Sequence, residues 1–263
     1  MRADKYFAEK FGSRTKAAEE IEKGHVLING KTVAPKYEIK ETDVISFIVP
    51  EEKYVSNGGY KLSRALKSFG FSPCGMVFAD IGASTGGFTD CLLQNGAKRV
   101  YAIDVGESLL HESLKGDERV SLMENINARY LSRDAFPEAL NGVVADVSFI
   151  SLKHILPVIS SILTEEGVAF VLIKPQFECE KKNIGKSGIV HPDAHKKIVE
   201  KILTYVNQAM LFPCGIVNAP VRKGKNIEYI LYLKKTPNKA LNEENIVREI
   251  VRLVKLHSLG ELH

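Results

Sequence analysis

Asp80-Ile-Gly-Ala-Ser-Thr-Gly-Gly-Phe-Thr-Asp90 follows an apolar stretch ending at Phe78-Ala79 and runs on into Cys91-Leu92-Leu93. A strand, a glycine-rich turn and a helix in this order open a mononucleotide-binding βαβ unit. Gly82, Gly86 and Gly87 let backbone approach a ligand with no Cβ in the way. A dinucleotide site gathers N–H groups around a pyrophosphate, which a carboxylate at Asp80 would repel; a cationic ligand would be attracted. S-adenosylmethionine carries a sulfonium and an ammonium group. The run therefore predicts a methyl-donor site built from Asp80, Gly82, Ser84, Thr85, Gly86, Gly87 and Phe88. The next strand, Arg99-Val-Tyr-Ala-Ile-Asp104, ends in an acid placed to accept bonds from ribose hydroxyls.

A chain of 263 residues allows one large domain or two unequal ones. Its longest apolar run, Val168-Ala-Phe-Val-Leu-Ile173, is far too short to span a bilayer. The N-terminus is charged and lacks an apolar signal region. Cys74, Cys91, Cys179 and Cys214 form no Cys-x-x-Cys pair, so reduced thiols, no bound metal and a cytoplasmic location are expected. The net charge of +4 is too small to name a partner by itself. A local excess, Arg222, Lys223, Lys225, Lys234 and Lys235 against Glu228, suits a polyanion.

Residues 1–50 read as a separate α+β module. Thr15 to Ile21 is helical and ends at Gly24. His25 to Val33 forms two short strands about an Asn29-Gly30 hairpin turn, and a third strand covers Asp43 to Val49. The module holds nine Lys plus Arg and eight Asp plus Glu, so its total charge does not single out RNA. Residues 51–59 read as a linker. From 60 to 263, strands near 76–81, 99–104, 119–124, 142–147 and 167–173 alternate with helices, one at 151–163. This pattern predicts a doubly wound parallel sheet. A helix near 193–209 precedes strands near 214–219 and 227–234, which the short loop between them makes antiparallel. One antiparallel strand near the edge fits the methyltransferase form of a Rossmann-like α/β sheet. A last amphipathic helix covers 243–257.

Ligands of open α/β sheets lie outside the carboxyl ends of the strands. Asp146 ends one strand and Lys174 ends the most apolar one. Glu228 opens the antiparallel strand at the same edge. Lys61 opens the helix before the first strand. These four are expected to converge on one cleft, the alternative being ion pairs at the rim of the sheet. His191 and His195 read as surface or lid residues. Residues 175–190 read as a long polar loop suited to a lid or substrate clamp. Ser148 and Ser151 have no histidine partner at a telling spacing, which argues against a hydrolase.

Several stretches together resemble one family. Arg2-Ala-Asp-Lys, Ser13-Arg14, Gly24 and Ile28-Asn29-Gly30-Lys31 resemble an S4-type RNA-binding domain. Val55 to Leu62, Asp80 to Asp90, Asp146-Val-Ser-Phe-Ile-Ser-Leu152 and Lys174-Pro-Gln-Phe-Glu178 are similar to the TlyA-type 2′-O-ribose methyltransferases of ribosomal RNA, often labelled hemolysins. The resemblance extends to FtsJ/RrmJ-like methyltransferases. It implies a Lys61, Asp146, Lys174, Glu228 catalytic tetrad, Asn127 near the donor's adenine, and Arg14, Lys16, Lys23 and Lys31 on RNA. The family usually has arginine where Asn57 stands. The expected reaction is S-adenosylmethionine-dependent methylation of a cytidine 2′-hydroxyl, on ribosomal RNA or ribosomal subunits. The competing readings are a membrane-active hemolysin and a catalytically silent RNA-binding protein.

Overall fold

The computed structural model describes residues 1–48, 53–221 and 224–262. The chain divides into two compact units, Met1–Lys53 and Tyr54–His263. In the first, α1 (Ala3–Tyr6) and α2 (Arg14–Glu22) pack on a three-stranded sheet of β1 (Val26–Ile28), β2 (Lys31–Thr32) and β3 (Ile45–Phe47), ordered β2-β1-β3. Ser13 caps α2 by accepting from Lys16 N at 3.2 Å. Asn29 and Gly30 both have positive φ, 53° and 74°, as the hairpin turn between β1 and β2 requires. Ala3, Phe7, Ala17, Ile21 and Val26 make the small core.

The second unit begins at Tyr54, whose side chain is buried. This corrects the 51–59 linker: α3 spans Asn57–Phe69, and Tyr54 to Gly59 belong to the second unit. Residues 51 and 52 lie outside the described residues. A seven-stranded sheet follows, built from β4 (Val77–Ile81), β5 (Arg99–Ile103), β6 (Val120–Met123), β7 (Leu140–Ala145), β8 (Leu163–Ile173), β9 (Phe212–Asn218) and β10 (Tyr229–Lys234). Its order is β6-β5-β4-β7-β8-β10-β9, and β10 runs antiparallel to both neighbours. The order reverses at β4, between β5 and β7, which is where such sheets open a ligand crevice.

The helices are α4 (Gly87–Gln94), α5 (Glu112–Lys115), α6 (Leu156–Ile162), α7 (Pro175–Glu178), α8 (Ala194–Gln208) and α9 (Glu243–Ser258). Alternation along β4 sends Val77, Ala79 and Ile81 into one core and Phe78 into the other, so both faces of the sheet are covered. Three sequence readings change here. The segment between β6 and β7 holds two short 3-10 turns and no α-helix. The helix expected at 151–163 splits into a 3-10 turn, Leu152–His154, and α6, with Pro157 in its first turn. Its last residue, Leu163, is already strand. Residues 175–190 are not an open loop: α7, a turn at Lys181–Asn183 and an Ile184–Val190 bridge organise them.

Candidate active site

Close glycine packing puts Lys61 at the carboxyl edge of the sheet. A Cβ on Gly87 would run into Ser56 Oγ and the backbone of Gly58, and one on Gly59 into the Tyr54 ring. So α3 lies directly against the start of α4. Asp90 of α4 holds the entry to α3, accepting from Val55 N at 2.8 Å. One turn further on, Lys61 reaches the sheet edge.

There the four expected residues meet. Lys61 Nζ lies 2.7 Å from Glu228 Oε2 and 3.5 Å from Asp146 Oδ2, and Lys174 Nζ lies 2.5 Å from Asp146 Oδ1. Lys174 also donates to Ser148 Oγ at 2.8 Å. The register explains the convergence. Tyr229 pairs with Ile173, so Glu228, just before β10, sits beside Lys174, just after β8. The side chains are only 11–20% exposed. Two cations and two carboxylates in contact leave no net charge to bury.

A cavity of about 470 Å³ opens beyond β4, β5 and β7, lined by Gly82, Ser84, Asp104, Asn127, Asp146 and Phe149 among others. A second, of about 160 Å³, is lined by Thr85, Gly87, Phe88 and Lys174 and shares Gly82, Ser84, Asp146 and Ser148 with the first. Gly82, at φ 82°, has Asp146 O only 2.9 Å from where a Cβ would stand. Asp104 accepts from Ser84 N and Gly106 N, both at 2.8 Å, and so ties the glycine turn to the end of β5. Asn127 stands exposed in the larger cavity, its Oδ1 accepting from Arg129 N. Gly86 lines neither cavity; at φ 91° it packs under Leu110 and Leu114.

Asp80 is placed otherwise than its charge suggested. It is fully buried and lines neither cavity. Its Oδ2 accepts from Thr89 N and Oγ1 at 2.9 and 2.7 Å, clamping the first turn of α4, while Oδ1 has no partner. The reason is geometric: Asp80 points with Phe78 into the α3–α4 side of the sheet. Burial pushes its carboxyl up to about 7, partly offset by the Thr89 bonds. A folded-state value above the unfolded one of about 3.9 means that stability falls as pH rises from about 4 to 7. Asp80→Asn keeps an oxygen for Thr89 and removes the buried charge. Thermal unfolding across this range should show the variant gaining ~2–4 kcal/mol over the parent at pH 8 and nothing near pH 4. A gain that does not vary with pH would contradict this.

Some residues carry more than their sequence signal allowed. Ser148, rejected as a nucleophile, holds Lys174. Glu178, nearly fully buried, accepts from Leu152 N at 2.7 Å and Ser151 Oγ at 2.8 Å. It thereby binds the segment after Lys174 to the segment after Asp146. Phe149, at φ 61° and 89% exposed, packs on Phe177 with ring centroids 4.9 Å apart. His195 is a correction: it is buried, not at the surface. Its Nδ1 lies 2.8 Å from the Tyr229 hydroxyl, and burial lowers its pKa to about 4. The signal available was the apolar spacing of α8, which turns His195 inward with Ile198, Val199 and Ile202.

The basic candidates divide. Arg14 pairs with buried Asp4 at 3.0 Å, and Lys23 pairs with Glu20; both stay more than half exposed. Lys16 and Lys31 are exposed, as is Lys225. Arg222 and Lys223 lie outside the described residues. Among the described residues no group of three or more His, Cys, Asp or Glu is placed to hold a metal ion.

Comparison with known proteins gives the family of both units. Residues 54–235 match the FtsJ-like methyltransferase model, and residues 1–45 match the S4 domain. The chain belongs to the FtsJ-like methyltransferase family. It is 43% identical over 244 residues to Hemolysin A of Brachyspira hyodysenteriae, covering 88% of this chain and 99% of that one. It is 35% identical over 246 residues to the 16S/23S rRNA (cytidine-2′-O)-methyltransferase TlyA of Mycobacterium tuberculosis, covering 92% of each. A solved Streptococcus thermophilus protein, provisionally described as a hemolysin, superposes with a TM-score of 0.73 at 35% identity over 98% of both chains. An S-adenosylmethionine-dependent methyltransferase from Mesorhizobium loti shares the fold at 11% identity, with a TM-score of 0.51 over 68% of this chain and 99% of that one. In this FtsJ-like chain, then, the charged cluster and the glycine-turn cavities occupy the methyltransferase domain, and the S4 domain is the first unit.

Proposed function

We propose that this FtsJ-like chain methylates the 2′-hydroxyl of a cytidine in ribosomal RNA, acting on the RNA or on ribosomal subunits in the cytoplasm. The observation that carries the reading is the Lys61–Asp146–Lys174–Glu228 cluster, whose Asp146 and Lys174 also wall the glycine-turn cavities. S-adenosylmethionine fits those cavities: a turn too tight for a Cβ at Gly82, an acid at Asp104 and an amide at Asn127 suit a ligand with a ribose, an adenine and a cationic end. When bound, it supplies an activated methyl group, so no metal is needed.

The chain's own residues then manage the acceptor. An ammonium has three donors. Lys174 directs two of them to Asp146 and Ser148, which leaves one for the 2′-hydroxyl. As the 2′-oxygen takes the methyl group its proton passes to the carboxylate of Asp146, the one acceptor of the pair, while Lys174 holds the oxygen in place. Lys61, held by Glu228, fixes Asp146 from the other side. Positioning of this kind replaces the entropy cost of a bimolecular encounter. Arg14, Lys16, Lys23 and Lys31 of the S4 domain, with Lys225, supply cations for the phosphate backbone. The hemolysin name belongs to relatives; among the described residues no helix is long and apolar enough to cross a membrane. Incubating the protein with methyl-labelled S-adenosylmethionine and ribosomal subunits should place label in RNA. Label in protein, or none, would overturn the reading.

A further inference from the structure

A third cavity, of about 220 Å³, borders the charged cluster on the side of Lys61 and Glu228 and shares no lining residue with the two donor-side cavities. We propose that it receives the nucleobase of the nucleotide being methylated, with Tyr60 as the stacking surface and Gln176 as the group that selects cytosine. This rests on the reading of the site as an RNA 2′-O-methyltransferase. Size permits it: an apolar protein cavity of roughly 150 Å³ holds a benzene ring. Location fits too. A ribose held at Lys174 and Asp146 would lie beside Lys61 and Glu228, which wall this cavity and neither of the donor-side ones.

The lining has the chemistry of base recognition. Tyr60 is 38% exposed and presents an aromatic ring; single nucleotides are held by stacking on such rings and by bonds to their polar edges. Lys225 and Asn57 also line the cavity, a cation and an amide suited to phosphate and sugar. Asn226 is already engaged, accepting from Val190 N and donating to Gly188 O. Gln176 differs: its Oε1 is buried without a hydrogen-bond partner. Buried acceptors are nearly always satisfied, so an orphan on a side chain that lines a cavity is open to a donor from the group that fills it. The cytosine exocyclic amine is such a donor. Uracil has an acceptor at the same position, which would leave the glutamine oxygen unpaired.

The test is nucleoside mass spectrometry of ribosomal subunits after reaction. Once the parent's target is mapped, subunits are reconstituted with uridine at that position. The parent should form 2′-O-methylcytidine and discriminate against uridine. Gln176→Ala should lower kcat/KM on cytidine by about 10- to 100-fold and narrow the cytidine-to-uridine ratio by a similar factor, as the discrimination supplied by one base-edge hydrogen-bonding group implies. Its donor dissociation constant should stay within about twofold, since Gln176 lines neither donor-side cavity. Gln176→Glu, which keeps an acceptor, should retain the cytidine preference. Tyr60→Leu should raise KM for subunits, and Tyr60→Phe should not. Unchanged rate and ratio in Gln176→Ala, or a lost cytidine preference in Gln176→Glu with donor binding intact, overturns the subsite. A parent that forms no 2′-O-methylnucleoside overturns the functional reading beneath it.

Discussion

Lys174→Ala should reduce methyl transfer by about 10²–10⁴-fold while donor affinity stays close to the parent's, the range that a positioned acid–base group supplies. Lys174 touches both Asp146 and Ser148, and it stands where the donor-side cavity meets the charged cluster. Removing it leaves Asp146 paired with Lys61 at 3.5 Å. The loss should therefore fall on kcat, with KM for the donor little changed. Single-turnover rates at saturating donor, beside calorimetry of donor binding, check this. Activity within a few-fold of the parent would make Lys174 a structural ion-pair partner, and equal activity in Asp146→Ala would remove the cluster from the mechanism.

The second large effect concerns RNA. Deleting Met1–Lys53 removes one compact unit and spares Tyr54, which belongs to the core of the other. RNA affinity should drop, and the slope of log affinity against log salt should shrink by up to about 0.9 for each phosphate that the truncated protein no longer neutralises, or ~0.7 on single strands. Arg14 and Lys23 are held by Asp4 and Glu20 but remain more than half exposed, so their charge stays available to a phosphate. Binding measured at several salt concentrations decides it. Equal affinity and slope in the two proteins would assign the unit to another task, such as a protein partner.

The elements that locate the site were legible because their signals are local. The glycine run after an apolar strand gave β4, its turn and α4. The apolar run 168–173 gave β8, and the short connection before β10 gave its antiparallel direction. With those strands placed, Asp146, Lys174 and Glu228 had to share an edge. What sequence could not give depends on three-dimensional direction. Asp80 follows Phe78 by two positions, so strand alternation sends it to the α4 side, where Thr89 holds it. His195 looked like a surface residue because Pro192-Asp193 marks a helix start, yet the helix turns that position inward. Glu178 and Gln176 stand in a family-like stretch that gave no sign of their roles, since their partners and their lack of one arise only after residues 146–152 and 174–178 come together. The helices expected between β6 and β7 failed because 3-10 turns carry no amphipathic period.

The position of the transferred methyl group tests the account most directly. Alkaline cleavage of RNA requires a free 2′-hydroxyl to attack the adjacent phosphate. Ribosomal RNA labelled by this protein with methyl-labelled S-adenosylmethionine should therefore yield its label in alkali-stable dinucleotides that begin with cytidine. Label released in mononucleotides would mean that a base was methylated, and the assignment of Lys61, Asp146, Lys174 and Glu228 to a ribose hydroxyl would be wrong.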